Sequence, residues 1–123
     1  MAKSFPLYTT RGDWAGLLMD IYVYSSKGEW VGWVAKDSQV FSVTGEYIGW
    51  LSKDFRVLRK RTLEAPVPRR TLPAQPPLKM QMPSSAPLPP LMSDLSFDTI
   101  DMLDEMPEKF YPVGSDPNAP DMD

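Results

Sequence analysis

The chain has 123 residues, which allows one small domain with an extension. It contains no cysteine and no histidine, which excludes disulfide bonds, thiolate and imidazole metal ligands, cysteine and histidine nucleophiles, and the commonest general base of enzymes. The net charge of −3 conceals two parts, because residues 1–92 carry 12 basic against 7 acidic side chains and residues 93–123 carry 1 against 9.

The beginning of the chain has no continuous apolar run of the length that a secretion signal needs. No later stretch approaches the length of a membrane span. We therefore expect a soluble, cytoplasmic protein without membrane contact.

Three similar nonapeptides fill most of the first fifty residues. They read YTTRGDWAG at residues 8–16, YSSKGEWVG at residues 24–32 and FSVTGEYIG at residues 41–49. Apolar runs around a four-residue turn that ends in Gly predict a β-hairpin in each copy. The turn glycines are expected at positive φ, and Thr9, Ser25 and Ser42 are expected to accept bonds from turn amides. The turn glycines are Gly12, Gly28 and Gly45.

The second strand of each hairpin alternates around a second glycine. One face is expected to carry Trp14, Gly16 and Leu18, then Trp30, Gly32 and Val34, then Tyr47, Gly49 and Leu51. Trp33 and Trp50 belong to the opposite face. The second glycines let a neighbouring aromatic ring lie over the backbone, or they bend the strand at a barrel corner.

Each copy ends in an acidic residue, namely Asp20, Asp37 and Asp54. Three matched carboxylates could bind a hard cation such as calcium. Asp is also a favoured turn residue, and we interpret the three as turn residues between hairpins.

The predicted strands cover residues 5–9, 14–19, 21–25, 30–36, 38–43, 47–52 and 55–60. Six of them make three hairpins, and the strand at residues 55–60 has no partner in this pattern. An unpaired strand leaves an open edge that natural proteins cover or pair. Either the remaining tail or a second chain is expected to lie there.

The three nonapeptides, the segment APLPPLMSDLSFDTIDMLDE at residues 86–105 and the ending PDMD at residues 120–123 resemble the 4-fold β-flower proteins, a small bacterial family. The resemblance implies an all-β fold with three to four consecutive hairpins in a pseudo-fourfold arrangement. It implies no activity. The fourth unit, residues 54–65, departs from the pattern because it lacks both glycines.

Residues 62–92 are rich in proline and are predicted to be extended, because proline removes a backbone donor and fixes φ. Several large apolar residues lie among the prolines, which favours docking on the hairpins, on faces presented by Trp33 and Trp50, over free disorder. Residues 70–76 also fit the basic-xx-Pro-xx-Pro pattern of SH3 ligands, which is common by chance in such segments.

A basic cluster separates the hairpins from the proline-rich part. With the nearby tryptophans it could contact nucleic acid, although a solvated edge strand with positive charges explains it better. The cluster consists of Arg56, Arg59, Lys60, Arg61, Arg69 and Arg70.

Residues 93–107 are predicted to form a short acidic amphipathic helix, capped by Ser96 or Asp98 and ended by Pro107. Such a helix must dock, either in a partner's groove or on the hairpin core. Its apolar positions are Leu95, Phe97, Ile100, Leu103 and Met106. Residues 108–123 are expected to be disordered.

The sequence therefore predicts a non-enzymatic structural or interaction module that needs no cofactor and no metal. Its domains are the hairpin repeat (5–61), the proline-rich linker (62–92), the acidic helix (93–107) and the tail (108–123). Another protein or a second copy is the expected partner. Two alternatives stay open: small-ligand binding of a carbohydrate or choline type through exposed Trp and Tyr, and nucleic-acid binding through the cluster from Arg56 to Arg70, the least favoured.

Overall fold

The computed structural model describes residues 4–62, 67–83, 86–89, 91, 94–106 and 109–110. The described residues contain eight strands and one helical turn. In chain order these are β1 (Ser4–Tyr8), β2 (Trp14–Met19), β3 (Tyr22–Ser25), β4 (Trp30–Val34), β5 (Gln39–Ser42), β6 (Tyr47–Leu51), β7 (Val57–Lys60), β8 (Thr99–Asp101) and α1 (Met102–Glu105). Every strand pairs antiparallel with its neighbours in the chain, so that the sheet order is β1 to β8.

Three tight hairpins, β1–β2, β3–β4 and β5–β6, confirm the turns predicted from the nonapeptides. The turn glycines Gly12, Gly28 and Gly45 have φ values of 88°, 81° and 84°. The pairing register shifts by one residue just before each turn, as expected for a turn with a glycine bulge. The hydroxyls of Thr9, Ser25 and Ser42 accept bonds from turn amides.

The fourth hairpin has no tight turn. β7 pairs with β8, with Leu58 opposite Asp101 and Lys60 opposite Thr99, so a long connection replaces the missing glycine turn. The open edge predicted at β7 is therefore occupied by the tail of the same chain. This pairing satisfies backbone groups that an edge strand would otherwise leave free.

The prediction of a helix over residues 93–107 is wrong for most of these residues, although a short helical turn is present. Thr99–Asp101 is a strand, and the helix is the single turn Met102–Glu105, whose N-cap is Asp101 rather than Ser96 or Asp98. A spacing near three residues does not distinguish a short helix from a strand followed by a turn. The unpaired edge of β7 decides the outcome, because a helix of two and a half turns is marginal by itself whereas pairing with β7 satisfies the free backbone groups of that edge.

The inner core contains one residue from every strand. This core reflects the fourfold arrangement, because each hairpin contributes two apolar side chains to it. Its members are Leu7, Leu18, Val23, Val31, Val40, Ile48, Val57 and Ile100, and Met102 of α1. All are between 0% and 6% exposed.

A second, outer cluster packs on the face of the hairpins that points away from the inner core. It consists of Leu17, Tyr24, Trp30 and Val43. Trp30 belongs to this cluster, whereas Val34 packs against the inner core, so the prediction that both share one face is wrong. The pairing of β4 with β3 shifts by one residue between Trp30 and Gly32, and an added Cβ at Gly32 would lie 2.6 Å from the Phe41 carbonyl oxygen. The second glycines thus admit the backbone of a neighbouring strand.

β1 meets the turn before β7 without forming a β-ladder. The Tyr8 amide donates to the Phe55 carbonyl at 3.0 Å, and the rings of Phe5 and Phe55 stack with centroids 5.0 Å apart. Phe55 has φ 61° and belongs to a turn, so the predicted strand at residues 55–60 begins at Val57 instead. These contacts bring the first hairpin beside the fourth.

Lys109 and Phe110 depart from the expected disorder of residues 108–123. The Lys109 amide donates to the Met106 carbonyl at 3.1 Å, and Phe110 packs against the inner core. The predictions for residues 111–123, and for Pro107 as the helix end, fall outside the described residues. In the part of the chain that is described, no helix is both long and apolar enough to cross a membrane.

Candidate interaction surfaces

The described part of the proline-rich segment, residues 67–83 and 86–89 and hereafter the strap, lies against the hairpins and hydrogen-bonds to three tyrosines. The hydroxyl groups of Tyr8, Tyr22 and Tyr24 donate to carbonyls of the strap. The acceptors are Pro87 at 2.5 Å, Ala74 at 2.5 Å and Pro77 at 2.9 Å. Extended proline-rich chains have no internal hydrogen bonds, so their carbonyls are available to such donors. Burial raises the pKa of Tyr24, because it disfavours the charged phenolate relative to the neutral phenol that donates this bond.

Backbone bonds fix the strap on the turn of the second hairpin. The Trp30 amide donates to the Leu78 carbonyl at 2.9 Å, and the Met80 amide donates to the Gly28 carbonyl at 2.8 Å. Leu72, Met80 and Met82 then cover the outer cluster. The strap therefore completes a core that the hairpins leave open.

The strap reaches the third hairpin through Arg70. Its amide donates to the Gly45 carbonyl at 3.1 Å, and its guanidinium lies 4.8 Å above the centre of the Phe41 ring. The same guanidinium donates to Asp37 at 2.9 Å and to Gln39 at 3.1 Å. The bond from Arg70 lowers the pKa of Asp37 below its ordinary value.

The two tryptophans predicted to receive the strap have other surroundings. Trp33 is 6% exposed and stacks on Phe41 with ring centroids 4.9 Å apart. Trp50 is half-buried and pairs with Gln39 and Leu58 in the sheet. The strap contacts tyrosines and the Trp30 backbone instead, because hydroxyl donors match its free carbonyls.

Trp33 also lines a cleft of about 670 Å³. The indole N–H of Trp33 is buried and has no hydrogen-bond partner among the described residues. Leu18, Val34 and Leu51 occupy equivalent places in the three repeats and all line this cleft. The whole lining is Leu18, Asp20, Ile21, Trp33, Val34, Ala35, Lys36, Asp37, Leu51 and Arg70.

The other predicted structural residues stabilise the hairpins. The indole N–H groups of Trp14 and Trp30 donate to the carbonyls of Gly16 and Gly32, each at 2.7 Å. Tyr47 packs edge-on against Phe41 with centroids 6.0 Å apart. Asp20, Asp37 and Asp54 lie in turns, and within the described residues no three side chains of suitable type gather to hold a metal ion.

The basic cluster is used largely within the chain. Arg56 is 3% exposed and binds Asp54 through two nitrogens, at 3.0 Å and 2.6 Å, while a third donates to the Thr10 hydroxyl at 3.2 Å. Arg59 is half-buried and contacts the Met106 sulfur at 3.5 Å. Arg61 donates to the Phe97 carbonyl at 3.0 Å. These arginines do not form a continuous row for phosphates.

The predicted recognition residues of the acidic end are separated by the structure. Ile100 is 5% exposed and belongs to the inner core, and Leu103 packs against that core. Phe97, by contrast, is 91% exposed. Leu88 and Leu91, which are 92% and 103% exposed, resemble it, and the three residues together are called the exposed trio below.

Sequence reasoning missed Tyr8, Tyr24 and Asp101 as functional positions. Tyr8 and Tyr24 open the first two nonapeptides, and their acceptors Pro77 and Pro87 are ten residues apart. The matched positions of the two tyrosines in the repeat and the ten-residue spacing of the two prolines are the sequence signals that could have indicated this contact. Asp101 gave none, because its partner Thr10 is 91 residues away.

Comparison with known proteins identifies the fold. The model of a family described as 4-fold beta flower protein matches residues 5–100, more than three quarters of the chain. The chain belongs to this family. The 4-fold beta flower family is not a known enzyme family, and the resemblance noted from the sequence is confirmed. No curated protein and no solved structure matches the chain.

Proposed function

We propose that this protein is a non-enzymatic interaction module whose hairpin scaffold presents the exposed trio to a partner protein. The observation that carries the proposal is the exposure of Leu88, Leu91 and Phe97, each above 90%. Most other large apolar side chains of the described residues are buried or half-buried. The three residues lie within ten positions of the sequence, and exposed apolar side chains mark protein contacts when they form one patch.

Both sides of the exposed trio are attached to the scaffold. Before it, the Pro87 carbonyl accepts from Tyr8. At its other end, the carbonyls of Phe97 and Asp98 accept bonds from Arg61, from Nε at 3.0 Å and from the backbone amide at 2.6 Å. Attachment at both ends lowers the entropy that a partner must remove on binding.

The partner that fits is a protein with an apolar groove. Full burial of one Leu or Phe side chain contributes about 1.5–3 kcal/mol, so the three side chains supply the central contact of an interface. Asp94 is exposed beside them, which favours a groove with basic residues at its rim.

The test uses the full chain as bait with its source-cell lysate, beside a variant with L88S, L91S and F97S. A control variant carries T71A and Q75A, two exposed polar residues of the strap. We expect the same proteins on the unmodified and control baits, and a loss of about tenfold or more on the trio variant. Unchanged melting temperature would show that the trio variant is folded, whereas equal capture by all three baits would exclude the proposal.

The cleft beside Trp33 favours a second candidate, which is binding of a small apolar molecule. Pockets of this kind combine apolar walls with a few polar groups at the rim, and Lys36 and Asp37 lie at its edge. The test is the melting temperature against a panel of small apolar molecules. A35W places a large side chain in the cleft and should abolish any rise in melting temperature that a molecule of the panel causes. K36Q, at the edge of the cleft, should retain that rise. An equal response of the two variants would exclude this function.

A further inference from the structure

Three hairpins present the same pair of residues to the strap. Each pair is an aromatic residue followed four positions later by the turn glycine, and the pairs are Tyr8 with Gly12, Tyr24 with Gly28 and Phe41 with Gly45. The strap meets these pairs in the reverse order of the chain. We call them the aromatic–glycine row.

The strap follows the row in steps of about ten residues. A Cβ at Gly45 would meet the backbone of Arg70, one at Gly28 would meet the backbone of Met80, and one at Gly12 would lie 3.4 Å from Pro89. The tyrosine acceptors Pro77 and Pro87 keep the same step. Each hairpin therefore contacts one decapeptide of the strap.

The chemistry of one contact is that of proline-peptide recognition. An aromatic side chain forms a wall, its hydroxyl donates to a carbonyl of an extended chain, and a glycine admits the peptide backbone. The third pair differs because Phe41 has no hydroxyl. There the guanidinium of Arg70 lies 4.8 Å above the centre of the Phe41 ring. The strap therefore supplies a cation for the aromatic ring at the one pair where the hairpin has no hydroxyl donor.

We propose that the aromatic–glycine row is a binding site for proline-rich polypeptide, and that a second copy of this chain can supply it by exchanging straps. This goes beyond the interaction proposed above, which uses the exposed trio. The match between ten-residue steps and the three pairs makes the chain's own strap the ligand that fits. In the exchanged dimer each contact of the strap forms between two copies instead of within one, and only the connection after β7 changes its course. Exchange of an identical element in this way is a low-cost route to dimers.

The strap is suited to exchange because it lies on the surface of the hairpins. Its side chains are mostly exposed or half-buried, including Leu78 at 44%. β8 follows the strap and would pair with β7 of the second copy in the same register. A tethered strap acts at about millimolar effective concentration, so exchange is expected when the chain itself is concentrated to about that level.

The experiment uses the unmodified full chain as an equal mixture of ¹⁴N and ¹⁵N protein. The mixture is concentrated to about 1 mM, warmed, cooled and treated with a lysine cross-linker. Lys27, in the second turn, and Lys79, which lies opposite Glu29, report strap docking. Lys53 and Lys60, on either side of β7, always belong to one chain and report random collisions.

We expect light–heavy Lys27–Lys79 cross-links about tenfold above the light–heavy Lys53–Lys60 background. An excess of synthetic peptide with the sequence of residues 67–89 should lower them, and a shuffled peptide should not. Light–heavy Lys27–Lys79 cross-links at the background level would overturn strap exchange. Equal effects of the two peptides would overturn the assignment of the row as a proline-peptide site.

Discussion

Asp101 accepts two hydrogen bonds from Thr10, one from the backbone amide at 2.5 Å and one from the hydroxyl at 2.7 Å. The other oxygen of the same carboxylate accepts from the amides of Leu103 and Asp104 at 3.2 Å and 3.4 Å and caps α1. Asp101 is 3% exposed. One side chain therefore joins the first hairpin, the last strand and the helical turn.

Removal of this carboxylate should open the sheet between its two ends. D101A is expected to lower the free energy of unfolding by about 2–4 kcal/mol, because it leaves the Thr10 donors without their charged acceptor. T10V, which keeps the shape, should cost about 1–2 kcal/mol. Urea denaturation measures both.

The matched control for Asp101 is D94A, at an exposed acid of the same tail. We expect a change within about 0.5 kcal/mol. If D101A were no more destabilising than D94A, the contact with Thr10 would not contribute to closure of the sheet.

The ion pair of buried Arg56 with half-buried Asp54 gives a second prediction. R56M should destabilise the protein by about 3 kcal/mol, because Asp54 and the Thr10 hydroxyl lose their partner in a partly buried place. R56K should recover only part of the loss, since an ammonium group does not form the two parallel bonds of a guanidinium. Thermal unfolding with circular dichroism measures the difference.

K53M, an exposed position of the same turn, is the control for Arg56 and should change stability by less than about 0.5 kcal/mol. The result also bears on nucleic-acid binding. If Arg56 contacted phosphates rather than Asp54, R56M would lower retention on nucleic acid at low salt without loss of stability.

Two turn glycines allow the contribution of the strap to be isolated. Gly12 and Gly28 have nearly the same φ, 88° and 81°, so Ala at either position costs about 1–2 kcal/mol of backbone strain. The strap approaches Gly28 with the Met80 backbone and Gly12 only with the Pro89 side chain. G28A should therefore be more destabilising than G12A by about 1 kcal/mol or more.

Hydrogen exchange identifies the cause of that difference. The Met80 amide, which donates to Gly28, should lose protection in G28A and keep it in G12A. Equal destabilisation by the two substitutions, with equal protection of Met80, would show that the strap does not depend on this turn.

The Asp98 carboxylate gives a prediction on pH. Bonds from the Ser96 hydroxyl and from Lys60 lower the pKa of Asp98 to about 2, below the ordinary value of about 3.9. Because the pKa of Asp98 is lower in the folded state than in the unfolded chain, its carboxylate stabilises the fold. This contribution to the free energy of unfolding is present above pH about 4 and is lost as the pH falls towards about 2.

NMR titration of the Asp98 side chain tests this directly. K60M should raise its pKa towards the ordinary value, and S96A should do so as well, because each removes one of the two bonds. K79M, an exposed lysine on the strap, should leave it unchanged. An unaltered Asp98 titration in both K60M and S96A would contradict the described contacts.

Local chemistry made the three tight hairpins predictable. The bonds of the first turn join Thr9 to Gly12 and Asp13, and the same short spacings recur in the other two turns. Turn type depends on the few residues that build it, so a sequence pattern is enough. The face assignment failed for Trp30 because the register shift between Trp30 and Gly32 depends on pairing with the neighbouring strand β3.

The acidic end was predicted less well for a related reason. Its apolar spacing fits a helix, and nothing local in it indicates that Thr99 to Asp101 pair with β7. Phe97 was expected on the same apolar stripe as Ile100, yet one is exposed and the other is in the inner core. The partner strand, which lies about forty residues earlier in the chain, decides between them.

By itself, the sequence determined the repeat, the positive-φ glycine turns, the all-β class and the presence of an edge that needed a partner. Only the tertiary structure decided which segment fills that edge and where the strap lies. Hydrogen bonds within a turn are fixed by a few neighbouring residues. The contacts of Thr10 with Asp101 and of Tyr8 with Pro87 join residues 91 and 79 positions apart, and they form only where the assembled hairpins leave donors that a distant carboxylate or carbonyl can satisfy.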